Sequence, residues 1–285
     1  MSDDVITGPV RIPRNLAANV TGSIHDDATA TALGFRGGTV AGSIHMDQFP
    51  PLLLDVFGPR WFETGCLSLY FRTATTDGEP VRALVERPLP DGDAQVRAWA
   101  TTPEDVLVAE GTAAAGDPRA DSALRGRDLR PVDPAELRIL KALRPGDALG
   151  DCQVLLDGSR QRAAIAADAM TEPLDWYTGT SPWGGPIAAP STVVQLLYRD
   201  LVAGLRDSMG QHVGLFGAIE IRFLGGPVFV DCAYRVTGEV VALSQTPKTE
   251  VLWFDSRARD GAGTVVAEMR MMLRQMKQSS PLYQD

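Results

Sequence analysis

The sequence GGTVAG at residues 37–42 recurs 147 residues later as GGPIAA at residues 184–189. Each copy opens a largely apolar segment, SIHMDQFPPLLLDVFG after the first and PSTVVQLLYRDLVAGL after the second. Six residues of the second segment follow the 3.6-residue period of a buried helix: Val193, Val194, Leu196, Leu197, Leu201 and Val202. Because the offset is about half of the 285-residue chain, the pattern predicts a duplicated unit built around a helix.

The segments that follow the two predicted helices also correspond. The first contains CLSLYFRTATTDGEPVRALVE, AQVRAWATT and VLVAEGTAAA, and the second contains GAIEIRFLGGPVFVDCAYRVTGEVV, KTEVLWFDSRA and GTVVAEMRMMLRQM. These runs have alternating or continuous apolar character and are broken by Asp-Gly and Gly-Gly-Pro turns, as antiparallel strands are. We therefore predict for each half one helix followed by about three antiparallel strands, with one or two strands before the helix.

A long helix wrapped by an antiparallel sheet, present twice in one chain, is an α+β fold of the double hotdog type. The predicted N-terminal hotdog spans residues 1–116 and the C-terminal hotdog residues 132–285. Between them, residues 117–131 are polar and contain Pro and Gly, which predicts a linker. Pro50 and Pro51 interrupt the first helical segment, so we expect that helix to be broken or bent there.

Composition excludes several classes of function. The formal net charge is −9 and no basic cluster offsets it, which argues against nucleic-acid binding. No apolar run approaches the length of a membrane span, and the opening MSDDVITGPVRIP is unlike a signal peptide, so we expect a cytoplasmic protein. The nucleotide-binding and metal-binding motifs G-x-G-x-x-G, P-loop and H-E-x-x-H do not occur, so no cofactor and no metal are expected.

The stretch SIHDDATATALGFRGGTVAGSIHMDQFPPLLLDVFG resembles the MaoC-like, or (R)-specific enoyl-CoA hydratase, family. In that family a G-D-x-N-P-[LIV]-H stretch, a short overhanging helix and a G-F turn precede the hotdog helix. The stretch ADAMTEPLDWYTGTSPWGGPIAAPSTVVQLLY is similar to the same region of two-domain members. The resemblance implies a hydratase or dehydratase that acts on an enoyl or 3-hydroxyacyl thioester, carried on coenzyme A or on a carrier protein.

The chain departs from the family at the catalytic pair, which consists of an Asp and a His five residues later. His25 matches the family histidine, whereas the position of the aspartate is Val20 and that of the neighbouring asparagine is Gly22. Valine cannot transfer a proton, so the usual route of water addition lacks one of its two residues. In the second copy Tyr177 occupies the histidine position and Glu172 the aspartate position, so that copy is interpreted as degenerate.

The candidate catalytic residues are His25, His45 and Asp26. His25 would act as general acid or base, with the adjacent Asp26 orienting it or raising its pKa; alternatively, Asp26 caps a helix and His25 is an ordinary surface side chain. His45, in the first turn of the central helix, would face the same cavity and partner His25, or else be a capped or solvent-facing histidine. By the resemblance, the backbone N–H groups of Gly42 and Ser43 would polarise the thioester carbonyl as an oxyanion hole.

Three aromatic residues, Trp176, Tyr177 and Trp183, cluster in the loop before the second helix. We predict that they close the substrate-binding pocket, with the Tyr177 hydroxyl donating to an enolate; the alternative is that they fill the interface between the domains. Four other polar residues are predicted to stand outside the chemistry: Asp47, Asp55 and Glu63 as solvated charges, and His212 as a structural histidine.

The leading functional hypothesis is a lyase of the hydratase or dehydratase type with His25 as the proton carrier. One alternative is a cyclase, isomerase or lyase of secondary metabolism with a substrate that is not a coenzyme A ester. Others are a thioesterase and a non-catalytic ligand-binding hotdog. Four arginines could form a local site that binds the anionic tail of a carrier: Arg14, Arg36, Arg60 and Arg72. Two hotdogs in one chain imitate the dimer of single hotdogs, so a monomer or a homo-oligomer is expected.

Overall fold

The computed structural model describes residues 4–88, 95–117 and 121–284. These residues form seven helices: α1 (Asp27–Ala32), α2 (Gly42–Met46), α3 (Pro50–Phe57), α4 (Trp61–Thr64), α5 (Ser159–Ala166), α6 (Pro190–Ala203) and α7 (Arg206–Met209). They also form ten strands: β1 (Val5–Thr7), β2 (Gly65–Phe71), β3 (Arg82–Glu86), β4 (Gln95–Thr101), β5 (Leu107–Ala115), β6 (Ala148–Leu156), β7 (Val213–Phe223), β8 (Cys232–Gln245), β9 (Thr249–Arg259) and β10 (Val265–Met276). Short 3-10 turns occupy Pro134–Glu136, Asp175–Tyr177, Lys277–Ser279 and Pro281–Tyr283.

All ten strands belong to one antiparallel sheet, in the order β1-β3-β4-β5-β2-β7-β10-β9-β8-β6. The first five strands of this order come from the N-terminal half and the last five from the C-terminal half. The halves join where β2 pairs with β7, with Cys66 opposite Arg222 and Tyr70 opposite Ala218. The duplicated unit predicted from the sequence is therefore present as two half-sheets that continue into one another.

Each half has one strand before its helices and four after them, one more than the sequence predicted. The run from Cys66 to Glu86 contains two strands, because Gly78 turns the chain with a positive φ of 82°. In the second half, Gly225 (φ 93°) and Gly226 (φ 138°) separate β7 from β8 in the same way. These backbone conformations are accessible to glycine at little cost, so each of these turns divides one of the runs quoted above into two strands.

The two central helices differ because of their prolines. In α6 all six residues of the apolar stripe are buried, as predicted. In the first half, α2 ends at Met46 and α3 begins at Pro50, so the predicted break is present. Proline has no N–H to donate to the preceding turn and its ring clashes with that turn's backbone, so the helix restarts at Pro50.

The core lies between these helices and the concave face of the sheet. Leu67 and Leu69 of β2, Ile219 and Ile221 of β7 and Met271 of β10 are fully buried members of one apolar cluster that includes the stripe of α6. Burying one such side chain contributes roughly 1.5–3 kcal/mol relative to exposure. This packing holds α6 against the C-terminal half-sheet.

The segment predicted as a linker lies partly outside the described residues, at 118–120. Its remainder covers the outer face of the sheet, where Leu124 is fully buried beside Trp253 and Met272. Arg125 Nε donates to Glu220 on β7 at 2.9 Å. Two contacts hold this segment on the sheet: Leu124 packs in the outer apolar cluster, and Arg125 pairs with the buried carboxylate of Glu220.

Candidate active site

A cavity of about 1140 Å³ is lined by residues of both halves. The first half contributes His25 and the start of α2, and the second half contributes Ser191, Thr192 and Gln195 from the first turns of α6. Ligand cavities typically range from about 300 to 1,000 Å³, so this one has room for a substrate larger than an ordinary small ligand. Four of the site residues predicted from the sequence line it: His25, Gly42, Ser43 and His45.

His25 is held in one tautomer by a backbone carbonyl. Its Nδ1 lies 2.7 Å from the carbonyl oxygen of Thr39, and because a carbonyl only accepts, Nδ1 carries the proton. The Thr39 N–H in turn donates to the carbonyl of Ile24 at 3.0 Å. In the neutral ring the lone pair is therefore on Nε2, which has no hydrogen-bond partner among the described residues. This is the state of a histidine that can accept a proton from a ligand in the cavity.

The close packing of the GGTVAG stretch against the backbone of His25 also requires glycine at position 38. A Cβ on Gly38 would lie 2.2 Å from the carbonyl oxygen of His25. That same oxygen accepts a hydrogen bond from Asn15 Nδ2 at 2.8 Å. The GGTVAG stretch thus fixes the backbone of His25 as well as starting the helix.

Asp26 is not hydrogen-bonded to His25 and therefore does not orient it as the sequence analysis proposed. Its carboxylate caps α1, accepting from the Thr29 N–H at 3.3 Å and from the Thr29 hydroxyl at 2.5 Å. The hydrogen bond from the Thr29 side chain is the main reason that the pKa of Asp26 is below its ordinary value. Asp26 is absent from the cavity lining. Asp26 is therefore the cap of α1, and the group that orients the His25 ring is the Thr39 carbonyl.

His45 is a buried, uncharged histidine in the cavity wall. Its Nε2 lies 2.8 Å from the Thr75 hydroxyl, and burial lowers its pKa to about 4. Nδ1 is buried without a hydrogen-bond partner among the described residues. His25 bonds through Nδ1 to Thr39 and His45 bonds through Nε2 to Thr75. The two histidines line the same cavity, but no hydrogen bond joins them. His45 offers a neutral imidazole near pH 7 and is a poor proton donor.

Gly42 and Ser43 are the first residues of α2 and border the cavity. The N–H groups of a first helical turn have no acceptor within the helix. A Cβ on Gly42 would lie 2.5 Å from Cε2 of Phe71, so the Phe71 ring covers the position that any larger residue would need. Glycine at this position is required for close packing between α2 and the end of β2.

The three aromatic residues assigned to substrate binding lie elsewhere, and that prediction is corrected. Trp176, Tyr177 and Trp183 each pack edge-on against Phe62 of the first half, with ring centroids 6.1–6.4 Å apart. None of them lines the cavity. Tyr177 is fully buried, its hydroxyl has no partner among the described residues, and burial raises its pKa well above the ordinary value. These rings fill the interface between the halves, which was the alternative interpretation.

Glu63 holds this aromatic cluster in place. The indole Nε1 of Trp183 donates to Glu63 Oε1 at 2.7 Å, so Glu63 is not the free solvated charge that the sequence suggested. Asp55 agrees with the predicted solvated charge: 55% of its side chain is accessible, and its Oδ2 lies 3.5 Å from Nη2 of Arg87. His212, predicted as structural, has its Nδ1 2.8 Å from the Gly210 carbonyl and lies outside the cavity lining.

Asp47 is a buried acid that the sequence analysis misjudged, although it does not line the cavity. It was predicted to be a solvated charge, but only 3% of it is exposed. Its Oδ1 accepts a hydrogen bond from the backbone N–H of Ser191 at 2.8 Å, which links the end of α2 to the start of α6. Burial raises the pKa of Asp47 to about 7. Asp47 therefore connects the two helices whose first turns line the cavity.

Of the four arginines predicted to form an anion site, only Arg72 lines the cavity; Arg14, Arg36 and Arg60 do not. Arg14, Arg36 and Arg72 each pair with a different carboxylate: Asp77, Glu79 and Glu110 respectively. Glu172 reaches across to the first half, but it pairs with Arg11 at 2.7 Å and does not line the cavity.

The described parts of the chain contain no group of three or more His, Cys, Asp or Glu side chains that could hold a metal ion. Among the same residues, no helix has the length and apolar character needed to cross a bilayer.

Comparison with solved structures identifies the architecture. A MaoC domain protein of Chloroflexus aurantiacus J-10-fl, assigned as a dehydratase, matches with a TM-score of 0.63 at 14% identity, covering 95% of both chains. RV0216 of Mycobacterium tuberculosis, a conserved hypothetical protein with a double hotdog fold, matches with a TM-score of 0.60 at 14% identity, covering 97% of both chains. The dehydratase domain of the CurJ module of curacin polyketide synthase matches with a TM-score of 0.52 at 13% identity, covering 96% of this chain and 94% of that one.

These likenesses confirm the α+β double hotdog fold and the resemblance to MaoC-like proteins at the level of the fold. No protein-family model and no curated protein sequence matches the chain.

Proposed function

We propose that the protein interconverts a 3-hydroxyacyl thioester and the corresponding 2-enoyl thioester, with His25 as the proton carrier. The observation that carries the proposal is the Nδ1 to Thr39 carbonyl hydrogen bond at the wall of a large cavity. It leaves the basic Nε2 without a protein partner among the described residues. Solved structures with this fold include proteins assigned as dehydratases, which supports the same class of reaction.

In the dehydration direction, Nε2 of His25 removes the proton from C2 of the substrate. The electron pair of the C2–H bond forms the C2–C3 double bond as the C3–O bond breaks. The imidazolium then returns the proton to the departing hydroxyl, which leaves as water. Because a single histidine can take one proton and deliver it to the oxygen on the same face, this route does not need the aspartate that Val20 replaces.

Negative charge develops on the thioester oxygen when the C2 proton leaves. The N–H groups of Gly42 and Ser43, at the start of α2 beside the cavity, are suited to donate to that oxygen. Preorganised donors of this kind stabilise a developing oxyanion. His45 of the same helix is neutral and adds no charge beside this oxygen, and its Nε2 is already hydrogen-bonded to Thr75.

The proposal is tested by incubating the protein with a series of 2-enoyl and 3-hydroxyacyl thioesters of coenzyme A and identifying products by mass spectrometry. The proposal predicts gain or loss of one water. Release of free coenzyme A would indicate a thioesterase, and a rearranged product of unchanged mass an isomerase or cyclase. Either result, or no conversion by protein shown to be folded, would contradict the proposed reaction.

A further inference from the structure

The backbone hydrogen bonds around His25 recur around Tyr177 in the second half. The N–H of Thr39 donates to the carbonyl of the residue before His25 at 3.0 Å. In the second half, the N–H of Ile187 donates to the carbonyl of the residue before Tyr177 at 2.9 Å. Thr39 and Ile187 also each form an isolated antiparallel bridge, with the segments that follow β2 and β7 respectively. Tyr177 therefore has the place in the second half that His25 has in the first.

The same correspondence continues to the starts of α2 and α6. Two residues beyond Thr39 and Ile187, an alanine occupies the N-cap position of each helix. The second residue of each helix is a serine, Ser43 in α2 and Ser191 in α6. The N–H groups of a first helical turn have no acceptor within the helix, and the helix dipole favours negative charge beside them. The start of α6 is thus the counterpart of the donors proposed above to bind the thioester oxygen.

The two helix starts differ in what accepts from them. The N–H of Ser43 has no acceptor among the described residues, whereas that of Ser191 donates to Asp47 Oδ1 at 2.8 Å. The N–H of Ala189 donates to Gln161 Oε1, also at 2.8 Å. The residue between Ala189 and Ser191 is a proline, which has no N–H to donate. Both of these donors of the α6 start are therefore satisfied within the protein.

Asp47 is also close to Tyr177, the counterpart of His25. The two residues are buried, with 3% of Asp47 and 0% of Tyr177 exposed, and the Tyr177 hydroxyl has no hydrogen-bond partner among the described residues. After burial, the charge of Asp47 is the second cause that raises the pKa of Tyr177, so the carboxyl group is within electrostatic reach of this hydroxyl. A buried carboxyl group costs stability that an apolar side chain of similar size would not.

We propose that the second half contains a counterpart of the thioester-oxygen site, and that the carboxyl group of Asp47 fills it. An oxygen of Asp47 accepts from the Ser191 N–H as the thioester oxygen would accept from the Ser43 N–H. The proposal rests on the function proposed above, which supplies the comparison with a thioester oxygen. It extends that function in two ways. The chain keeps one substrate site, at His25, and the start of α6 is a binding site for a carboxyl group.

The test removes this carboxyl group and supplies it again from solution. Asp47→Ala leaves a space of the size of the group that it loses, and formate is the probe that fits this space. We expect formate to raise the melting temperature of Asp47→Ala saturably at about pH 5. At an ionic strength held constant with sodium chloride, the wild type and Asp55→Ala, which loses an exposed carboxylate, should not respond. Equal responses of the three proteins would overturn the proposal.

The pH dependence of formate binding identifies the site. Burial raises the pKa of Asp47 to about 7 from an ordinary 3.8, and the hydrogen bonds from Ser191 offset this only in part. Formate in the same place should therefore bind with uptake of a proton. Its affinity for Asp47→Ala should fall about tenfold per pH unit between about pH 5 and 7, and an affinity independent of pH would overturn the proposal.

The neighbouring titratable groups do not produce this dependence. Burial lowers the pKa of His45, on the same helix as the Asp47 contact, to about 4, and the pKa of Tyr177 is well above its ordinary value. Both side chains are therefore mainly uncharged between pH 5 and 7. No charged side chain among the described residues contributes to the pKa of Asp47.

A second variant keeps the proposal testable if Asp47→Ala does not fold. Asp47→Asn has nearly the same size and retains an oxygen for the Ser191 N–H, but it does not titrate. By NMR, the amide proton of Ser191 should shift as the pH passes through about 7 in the wild type and in Asp55→Asn, and should not shift in Asp47→Asn. A Ser191 resonance that titrates identically in the wild type and Asp47→Asn would overturn the proposal.

These measurements do not use turnover, so the two proposals fail in different ways. Protein that converts thioesters but shows neither the formate effect nor the Ser191 titration would overturn the filled site alone. Protein that shows both and converts no thioester would overturn the proposed reaction alone.

Discussion

The carbonyl of Thr39 determines which nitrogen of His25 can act as a base. The 2.7 Å contact requires a proton on Nδ1, so the neutral ring presents its lone pair at Nε2. In many histidine bases a carboxylate has this orienting role; in this chain the neighbouring acid Asp26 caps α1 instead. A backbone carbonyl orients the ring without adding a negative charge to the site.

The first prediction concerns His25 itself. His25→Ala should lower kcat for thioester hydration by a factor of about 10² to 10⁴, the usual contribution of a general acid–base group. The control is His212→Ala, because His212 lies outside the cavity lining and its loss should leave kcat unchanged. Steady-state kinetics of both variants check this. Equal rates for His25→Ala and the wild type would remove His25 from the mechanism.

The second prediction concerns the pH dependence of stability at Asp47. Its pKa is about 7 in the folded protein against an ordinary 3.8, so the folded state binds this proton more tightly than the unfolded state does. The contribution of Asp47 to stability is therefore complete below about pH 4 and is lost as the pH rises through about 7. Asparagine does not titrate, so the stability of Asp47→Asn should not fall in this way. Relative to the wild type, its free energy of unfolding should rise by roughly 3 kcal/mol as the pH goes from 5 to 8.

Urea denaturation of both proteins at the two pH values measures the difference. Asp55→Asn, at a site with a half-exposed carboxylate, serves as the control and should track the wild type. If Asp47→Asn also tracks the wild type, Asp47 is ionised in the folded protein without penalty.

The third prediction concerns the start of α2. Gly42→Ala places a Cβ 2.5 Å from the Phe71 ring, so Phe71 and α2 must move apart. We expect a loss of about 1–3 kcal/mol in stability, as for other overpacking substitutions, together with a lower kcat because the N–H groups of Gly42 and Ser43 shift. Gly204→Ala is the control, since the nearest atom to its Cβ would be 3.8 Å away. Wild-type stability in Gly42→Ala would show that the Phe71 ring moves freely.

The fourth prediction separates packing from substrate binding at the aromatic cluster. Trp183→Phe removes the 2.7 Å hydrogen bond to Glu63 and leaves that partly buried carboxylate without its donor. The free energy of unfolding should fall by about 1–3 kcal/mol, while KM stays the same because Trp183 does not line the cavity. Thermal denaturation and steady-state kinetics test the two halves of this statement. A raised KM with unchanged stability would indicate that Trp183 binds substrate, which would contradict this prediction.

The parts of the fold predicted from sequence are those with a local periodic signal. The apolar stripe of α6 is visible within 14 residues, and the repeat of GGTVAG as GGPIAA marks the start of each central helix. The break at Pro50 is equally local, because proline acts on its own turn. The additional strand in each half was missed because the run on both sides of the Asp-Gly turn at Gly78, like the run on both sides of the Gly-Gly-Pro turn at Gly225, was counted as one strand although the turn itself was recognised.

The site was predicted less completely, since its contacts join distant positions. Asp47 was taken for a solvated charge because its partner, Ser191, lies 144 residues away. The orienting group of His25 is a main-chain atom of Thr39, for which no side-chain pattern exists. Conversely, Trp176 in a Gly/Pro-rich loop has the same sequence signature whether it closes a cavity or fills an interface.

The central claim is that Nε2 of His25 takes the C2 proton of a thioester substrate. The most direct measurement follows exchange of that proton in a 3-hydroxyacyl thioester of coenzyme A with deuterium oxide, by NMR, for the wild type and His25→Gln. The account predicts exchange by the wild type and at least about a hundredfold slower exchange by the variant, at equal thermal stability. Exchange at the same rate in both proteins would contradict it.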